Sequence, residues 1–352
     1  MNINFTSTTK SRCEISTLKF ESLISFLENL IISEKSVFLI ADSNLAKFKE
    51  YKELFKGKTI FFFDACEDNK NLENVTKIYE FLLKNRADRK SFVVGIGGGI
   101  TLDVAGFVST TYMRGLRFGF IPTTLLSMVD ASIGGKNGVN FKGFKNYIGT
   151  FNHPDFIAIS PNFLSTLSER EYNIGMAEII KYGAIANSDL LDYLLLNADK
   201  IKEKDEDTIN YLIEESVKIK VDIVRKDFKE AGLRKILNFG HTLGHALERL
   251  KKVNHGEGVA AGMVFAGWLS VRKGYLKEDE FERLKKVISA FNLPLFIKDV
   301  SLLEIIEGIA GDKKKERDKI DFVLLKGLGA PLVEAMGLGE IKNELENMRK
   351  HC

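Results

Sequence analysis

A run of β-branched and aromatic residues, Ser91-Phe92-Val93-Val94-Gly95-Ile96, leads directly into Gly97-Gly98-Gly99 and then into a helical pattern opening at about Thr101. A buried strand that ends in glycines and starts a helix is the entry to a parallel βαβ unit, so this stretch restricts the fold more than any other. Glycines lack Cβ, which lets backbone amides approach a pyrophosphate closely, and the helix N-terminus adds unpaired N–H donors and a favourable dipole. A dinucleotide fits there. So does a tight strand-to-helix turn that needs positive φ and binds nothing, because the spacing departs from the strict G-x-G-x-x-G fingerprint.

The same alternation runs through the first part of the chain, with strand-like Ser36 to Ile40 and Lys58 to Phe63 separated by helical patterns. Beyond Ser160-Pro161-Asn162 the texture changes to long amphipathic stretches, such as Leu190 to Ala198, Thr208 to Arg225 and Glu278 to Phe291, with apolar residues at three- and four-residue spacing. Proline disfavours continued regular structure, which sets the boundary there. The expected fold class is α/β: an N-terminal Rossmann-like parallel-sheet dinucleotide-binding domain over residues 1–160, and a C-terminal mainly α-helical metal-binding domain over 161–352. The charged run Lys200 to Asp207 reads as a solvated loop, and Asp312 to Asp321 can be read the same way.

Composition excludes several partners. Lys+Arg 51 against Asp+Glu 48 is too even to attract nucleic acid or an anionic membrane. The cysteines, Cys13, Cys66 and Cys352, are odd in number and far apart, which argues against a disulfide framework and for a reducing, cytoplasmic setting. No cationic segment followed by an apolar one opens the chain, and no apolar run is long enough to span a bilayer, so a soluble protein is expected.

Two further clusters carry chemistry. Thr123-Thr124 leads into Asp130-Ala131-Ser132-Ile133-Gly134-Gly135-Lys136-Asn137, followed by Lys145-Asn146. Ammonium and amide groups on a glycine-shaped loop suit an oxygen-rich or phosphorylated ligand, although a polar surface loop has similar composition. Of the five histidines, His241, His245 and His255 crowd into one stretch. His241 and His245 stand at i, i+4 on one helix face, so spacing nominates them first as metal ligands, with His255 after a turn. Glu178, in the otherwise apolar Met176-Ala177-Glu178-Ile179-Ile180, offers a carboxylate whose burial a cation would offset.

Taken in order, GGGITLDVAGFVSTTYMRG, PTTLLSMVDASIGGKNGVN, KNYIGTF, GMAEIIKYG, AGLRKILNFGHTLGHALE, HGEGVAAGM and GDKK resemble the 3-dehydroquinate synthase family of sugar phosphate cyclases over most of the chain. The resemblance implies an enzyme, a NAD- and divalent-metal-dependent carbon–oxygen lyase. It would convert 3-deoxy-D-arabino-heptulosonate 7-phosphate to 3-dehydroquinate and phosphate, in the shikimate pathway of aromatic amino acid biosynthesis. The implied course is transient oxidation by NAD, phosphate elimination, re-reduction and intramolecular aldol closure. A homodimer taking a small phosphorylated sugar acid, and no nucleic acid or membrane, goes with it.

The resemblance also implies a ligand set that spacing alone does not: Glu178, His241 and His255 for Zn2+, with Co2+ as a possible substitute, leaving His245 to the substrate. For NAD it implies Asp42, Asn44, Glu67, Lys70, Gly98, Gly99, Asp103, Thr123, Thr124, Lys136, Lys145, Phe163, Thr166 and Glu171. Catalytic roles fall to Asp130, Lys136, Lys181, Lys220 and Asn238, and substrate contacts to Arg114, Lys145, Asn146, Arg234, His245, Lys313 and Lys314. The chain departs from the family pattern at Asp227-Phe228-Lys229-Glu230, at Phe144 and at Ala131. A glycerol-dehydrogenase-like polyol dehydrogenase is the rival from another reaction class, but an uncharged polyol would leave the cations Lys136, Lys145, Lys220 and Arg234 without a counter-charge. A sister cyclase such as 2-deoxy-scyllo-inosose synthase is nearer, and Arg234, expected to clamp a carboxylate, is the discriminating residue.

Overall fold

The computed structural model describes residues 1–6, 12–34, 36–250, 253–298, 300–311 and 319–351. The chain forms two compact units, Met1–Leu167 with Ile213–Lys229, and Ser168–Leu212 with Glu230–Cys352. The break at Leu167 lies a few residues beyond Pro161. A single boundary there does not anticipate that the helix Glu206–Lys226 is divided, its later part and Phe228 belonging with the first unit.

The first unit is built on a seven-stranded sheet. Its strands are β1 (Asn2–Thr6), β2 (Arg12–Thr17), β3 (Val37–Asp42), β4 (Thr59–Phe63), β5 (Phe92–Gly97), β6 (Arg117–Pro122) and β9 (Phe156–Ile159), in the order β1-β2-β9-β6-β5-β3-β4. All neighbours are parallel except β1 with β2. The strands expected at Ser36 to Ile40, Lys58 to Phe63 and Ser91 to Ile96 are β3, β4 and β5. Every residue of β5 is buried, as the unbroken apolar run demands of a strand covered on both faces. Gly95 within it leaves room for the following helix, since a Cβ there would stand 2.8 Å from that of Ala105.

Because β3 lies between β4 and β5, the strand order reverses at the β3–β5 pair, which leaves a crevice at the carboxyl ends of the two strands. Asp42 ends β3 and Gly97 ends β5, so the glycine loop sits at this switch point. A separate antiparallel hairpin, β7 (Lys136–Phe141) and β8 (Phe144–Phe151), carries the second glycine segment onward.

The second unit is mainly helical. Ser168 opens the helix Glu169–Ala186 with a capping box to Glu171. The helix His255–Arg272 is buried on nearly every face, and helices Ser188–Leu196, His241–Arg249, Glu278–Ala290, Leu302–Gly311 and Leu338–His351 belong to the same unit. Two findings differ from the sequence reading. Lys200 to Lys202 are helical, within Ala198–Lys202, rather than looped. Of Asp312 to Asp321, residues 312–318 lie outside the described residues, and Lys319 to Asp321 open an antiparallel hairpin, β10 (Lys319–Gly327) and β11 (Ala330–Gly337), anchored where Leu325 N donates to Ser270 Oγ at 3.0 Å. Among the described residues, no helix is long and apolar enough to cross a membrane.

Candidate active site

Gly98 caps the helix Gly99–Thr111 with φ −74° and ψ 179°, an extended conformation open to any residue. None of Gly97, Gly98 and Gly99 has positive φ, so backbone strain is not what requires glycine here. Space is. A Cβ on Gly97 would meet Thr101 at 2.7 Å, one on Gly98 would meet Thr124 at 3.1 Å, and one on Gly99 would meet Ala131 at 3.1 Å. The loop is thus folded tightly under the first turn of the helix, whose unpaired N–H groups and dipole favour an anion.

Around that turn the first unit gathers most of the expected cofactor residues. Lys70, 4% exposed, donates to Asp103 on the helix and to Asn146 Oδ1 beyond β7. Burial pushes the Asp103 carboxyl up, and Lys70 offsets only part of that. Glu67 Oε1 accepts from Asn140 at 2.7 Å and lies 3.8 Å from Lys145 Nζ. Asp42 accepts from the Asn44 backbone at 2.9 Å, and Thr123 N donates to Gly97 O at 3.0 Å. Thr124 bonds Ser127 through both its backbone and its hydroxyl. Phe163 is fully buried against Phe20 and Tyr51, with Thr166 bonded to its carbonyl.

Asp130 lies in a π-helical turn, Ser127–Ala131, of the kind that often marks functional sites. Lys220, 5% exposed, reaches its carboxylate at 2.7 Å and its carbonyl at 2.6 Å. Lys136, Lys145, Asn146 and Arg114 are exposed, the last two with positive φ.

In the second unit three helices converge. Glu178 is fully buried in the middle of Glu169–Ala186, whereas His241 and His255 are each the first residue of their helices. Both imidazoles turn Nε2 to the same carboxylate oxygen, His255 at 3.0 Å and His241 at 3.5 Å from Glu178 Oε1. The ligand atoms of all three lie within 4.8 Å of one another. Lys181 pairs with the other Glu178 oxygen. Burial alone would push the Glu178 carboxyl up, but the Lys181 ammonium and then His241 outweigh it and hold the group well below the usual carboxylate range.

The far side of each imidazole is also held. His241 Nδ1 is 3.1 Å from Phe239 O, and His255 Nδ1 is 3.5 Å from Glu248 Oε2. With Nδ1 held on the outer side, the Nε2 atoms and the carboxylate face one another, a donor set and outer-shell support suited to a catalytic divalent-metal site. Burial works against a charge on His255, but Glu178 and Glu248 push it up to about 10, so this pocket favours positive charge. His245 instead joins Glu248 and His255 in a second group, and burial, then the neighbouring imidazoles, push it down to about 3.

Backbone contact brings the ligands together. A Cβ on Gly262 would overlap the Gly240 carbonyl, one on Gly258 would meet Gly244 O at 2.8 Å, and one on Gly256 would meet Ile174 Cα at 2.5 Å. Arg170 then grips Glu257 with both forks, 3.1 and 3.2 Å, while Glu257 caps the His255 helix through Asn254. Sequence reasoning missed these glycines and also Glu248. Glu248 was legible, because His241, His245 and Glu248 stand at i, i+4 and i+7 on one helix face. Of the remaining expected residues, Arg234 is 3% exposed, Asn238 donates to Glu230 at 2.7 Å, and Glu171 is an exposed cap partner of Ser168. Lys313 and Lys314 lie outside the described residues.

Sequence comparison covers both units. Residues 60–174 match the profile of 3-dehydroquinate synthase N-terminal, and residues 175–315 that of 3-dehydroquinate synthase C-terminal. A 3-dehydroquinate synthase of Thermoanaerobacter pseudethanolicus is 41% identical over 337 residues, covering 93% of this chain and 94% of its own. Among solved structures, a 2-epi-5-epi-valiolone synthase from Streptomyces hygroscopicus, with NAD+ and Zn2+ bound, superposes with a TM-score of 0.86 at 24% identity over 96% of this chain and 97% of its own. A 2-deoxy-scyllo-inosose synthase complexed with carbaglucose-6-phosphate, NAD+ and Co2+ gives 0.86 at 22% over 99% and 100%. At those identities the two structures establish the shared fold, while the profiles and the far higher identity to the synthase establish that the chain belongs to the 3-dehydroquinate synthase family.

Proposed function

We propose that the chain converts 3-deoxy-D-arabino-heptulosonate 7-phosphate to 3-dehydroquinate and inorganic phosphate, using NAD and a divalent metal, Zn2+ first and Co2+ as a substitute. The observation that carries this reading is the buried carboxylate with two imidazoles aimed at one of its oxygens, in a chain 41% identical to a 3-dehydroquinate synthase. When bound, NAD supplies a reversible hydride acceptor and the metal supplies Lewis acidity toward a substrate hydroxyl.

The protein's own groups do the rest. Glu178, His241 and His255 hold the metal, and Gly98, Gly99 and Asp103, with Asp42, Asn44, Glu67, Lys70, Thr123, Thr124, Phe163, Thr166 and Glu171, make up the cofactor set. Lys136, Lys181 and Lys220 place positive charge against a substrate that carries a carboxylate and a phosphate monoester, and Asp130 and Asn238 orient its hydroxyls. Lys145, Asn146 and His245 take the phosphate. Arg234 and Arg114 grip the carboxylate, where a planar fork gives bidentate pairing. Ring closure asks little more than orientation, since the reacting groups belong to one molecule. The same reading makes the enzyme cytoplasmic, and homodimeric, the second of which light scattering on the purified protein checks.

The test is phosphate release from 3-deoxy-D-arabino-heptulosonate 7-phosphate with zinc and substoichiometric NAD, while NADH is monitored. Many turnovers per NAD without NADH accumulation are expected. Release from glucose 6-phosphate instead would make it a sister cyclase, and steady NADH formation with glycerol would make it a dehydrogenase.

A further inference from the structure

Phe228 is an aromatic residue set among charges, in Asp227-Phe228-Lys229-Glu230, yet it is only 6% exposed. Its ring packs on both arms of the β7–β8 hairpin where they meet the rest of the first unit. It lies 4.6 Å from the His153 ring, tilted by 36°, and 5.8 Å from Phe151, edge to face. On the other arm it covers Gly135, where a Cβ would stand 3.1 Å from Phe228 Cε2. Gly135 has φ +70°, a conformation that few other residues adopt, and Lys136 follows it directly.

The hairpin base is tied together at that point. Lys136 pairs with Phe151 across the ladder, Asn152 N donates to Gly135 O at 2.8 Å, and Asn137 Nδ2 bonds both Gly135 O and Asn152 O. Two turns earlier on the same chain segment, Lys220 holds Asp130. The segment 213–229 therefore touches the second glycine segment twice, through an ion pair at Asp130 and through an aromatic wedge at Gly135.

We propose that Phe228 is a positioning residue: by wedging the base of the hairpin it sets the place of Lys136, and with it the recognition of an anionic, phosphorylated substrate. This rests on the function proposed above. Lys136 meets the substrate as a cation and also belongs to the residues given a catalytic role, so displacing it weakens binding and turnover together, raising KM and lowering kcat. An exposed decorative ring would do neither.

The experiment compares the zinc- and NAD-loaded protein with Phe228→Ala and Phe228→Tyr, by steady-state kinetics and by hydrogen exchange of backbone amides. Phe228→Ala is expected to raise KM for the heptulosonate phosphate about tenfold and to lower kcat about fivefold, at full zinc content. Exchange in the 136–151 hairpin should quicken about tenfold while β5 and β6 keep their protection, and Phe228→Tyr should restore both readouts. Unchanged exchange in the hairpin, or equal acceleration across the whole sheet, overturns the proposal. If the wild-type protein releases no phosphate from this substrate, the functional reading fails, and the hairpin exchange still decides whether Phe228 positions Lys136.

Discussion

In the first unit, Gly97 and Gly98 clear space beneath a helix N-terminus, whereas in the second, Gly240 and Gly262 let the helices His241–Arg249 and His255–Arg272 meet backbone to backbone. The first arrangement rests on the main chain of a helix's first turn, with Lys70 paired to Asp103 and Lys220 to Asp130. The second turns side chains inward, with two imidazoles on one oxygen of a buried carboxylate and the Lys181 ammonium on the other. Glycine thus serves an arrangement built from main chain in one unit and a cluster built from side chains in the other. Loss of a side chain should accordingly be felt far more in the second unit.

The largest expected effect follows Glu178→Gln. Zinc content should collapse and turnover should fall at least about 100-fold, with the circular dichroism spectrum and NAD affinity kept. Metal analysis and NAD titration on one preparation check this, and retained zinc with full activity refutes the ligand role. Glu248→Gln is milder. It removes the carboxylate behind His255, so zinc affinity should drop about tenfold and excess zinc should recover the activity, as a competitive chelator titration would read out. The smallest effect belongs to the first unit: Asp103→Asn leaves Lys70 bonded to Asn146 and should weaken NAD binding about fivefold without changing zinc content. A loss there as large as that at Glu178 would erase the contrast between the two regions.

The two regions also differ in how far they could be read beforehand. The run ending at Ile96 and the glycines after it were legible because a buried parallel strand is a local pattern and a strand–glycine–helix junction is contiguous. The glycines' purpose was less so, since positive φ was one expected reason and steric room from Thr101, Thr124 and Ala131 is the observed one. Histidine spacing showed that His241 and His245 share a helix face, but nothing in a spacing says which other helix will face it. Glu178 and His255 come from separate helices, and the close approach at Gly256 and Ile174 is a tertiary fact. The β10–β11 hairpin escaped for a different reason: Phe322 to Leu325 form a continuous apolar run, and such a run lacks the period that separates strand from helix.

The helix contacts at Gly240, Gly244, Gly256, Gly258 and Gly262 have a bearing on mutational drift. Each would place an added methyl within 3.0 Å of main chain, which cannot turn away as a side chain can, so even alanine forces a helix to move. The ligands ride on those helices. A single added carbon at any of these positions therefore reaches the Glu178–His241–His255 cluster without touching its side chains, and the path by which this region could change its amino acids while keeping that geometry is correspondingly narrow.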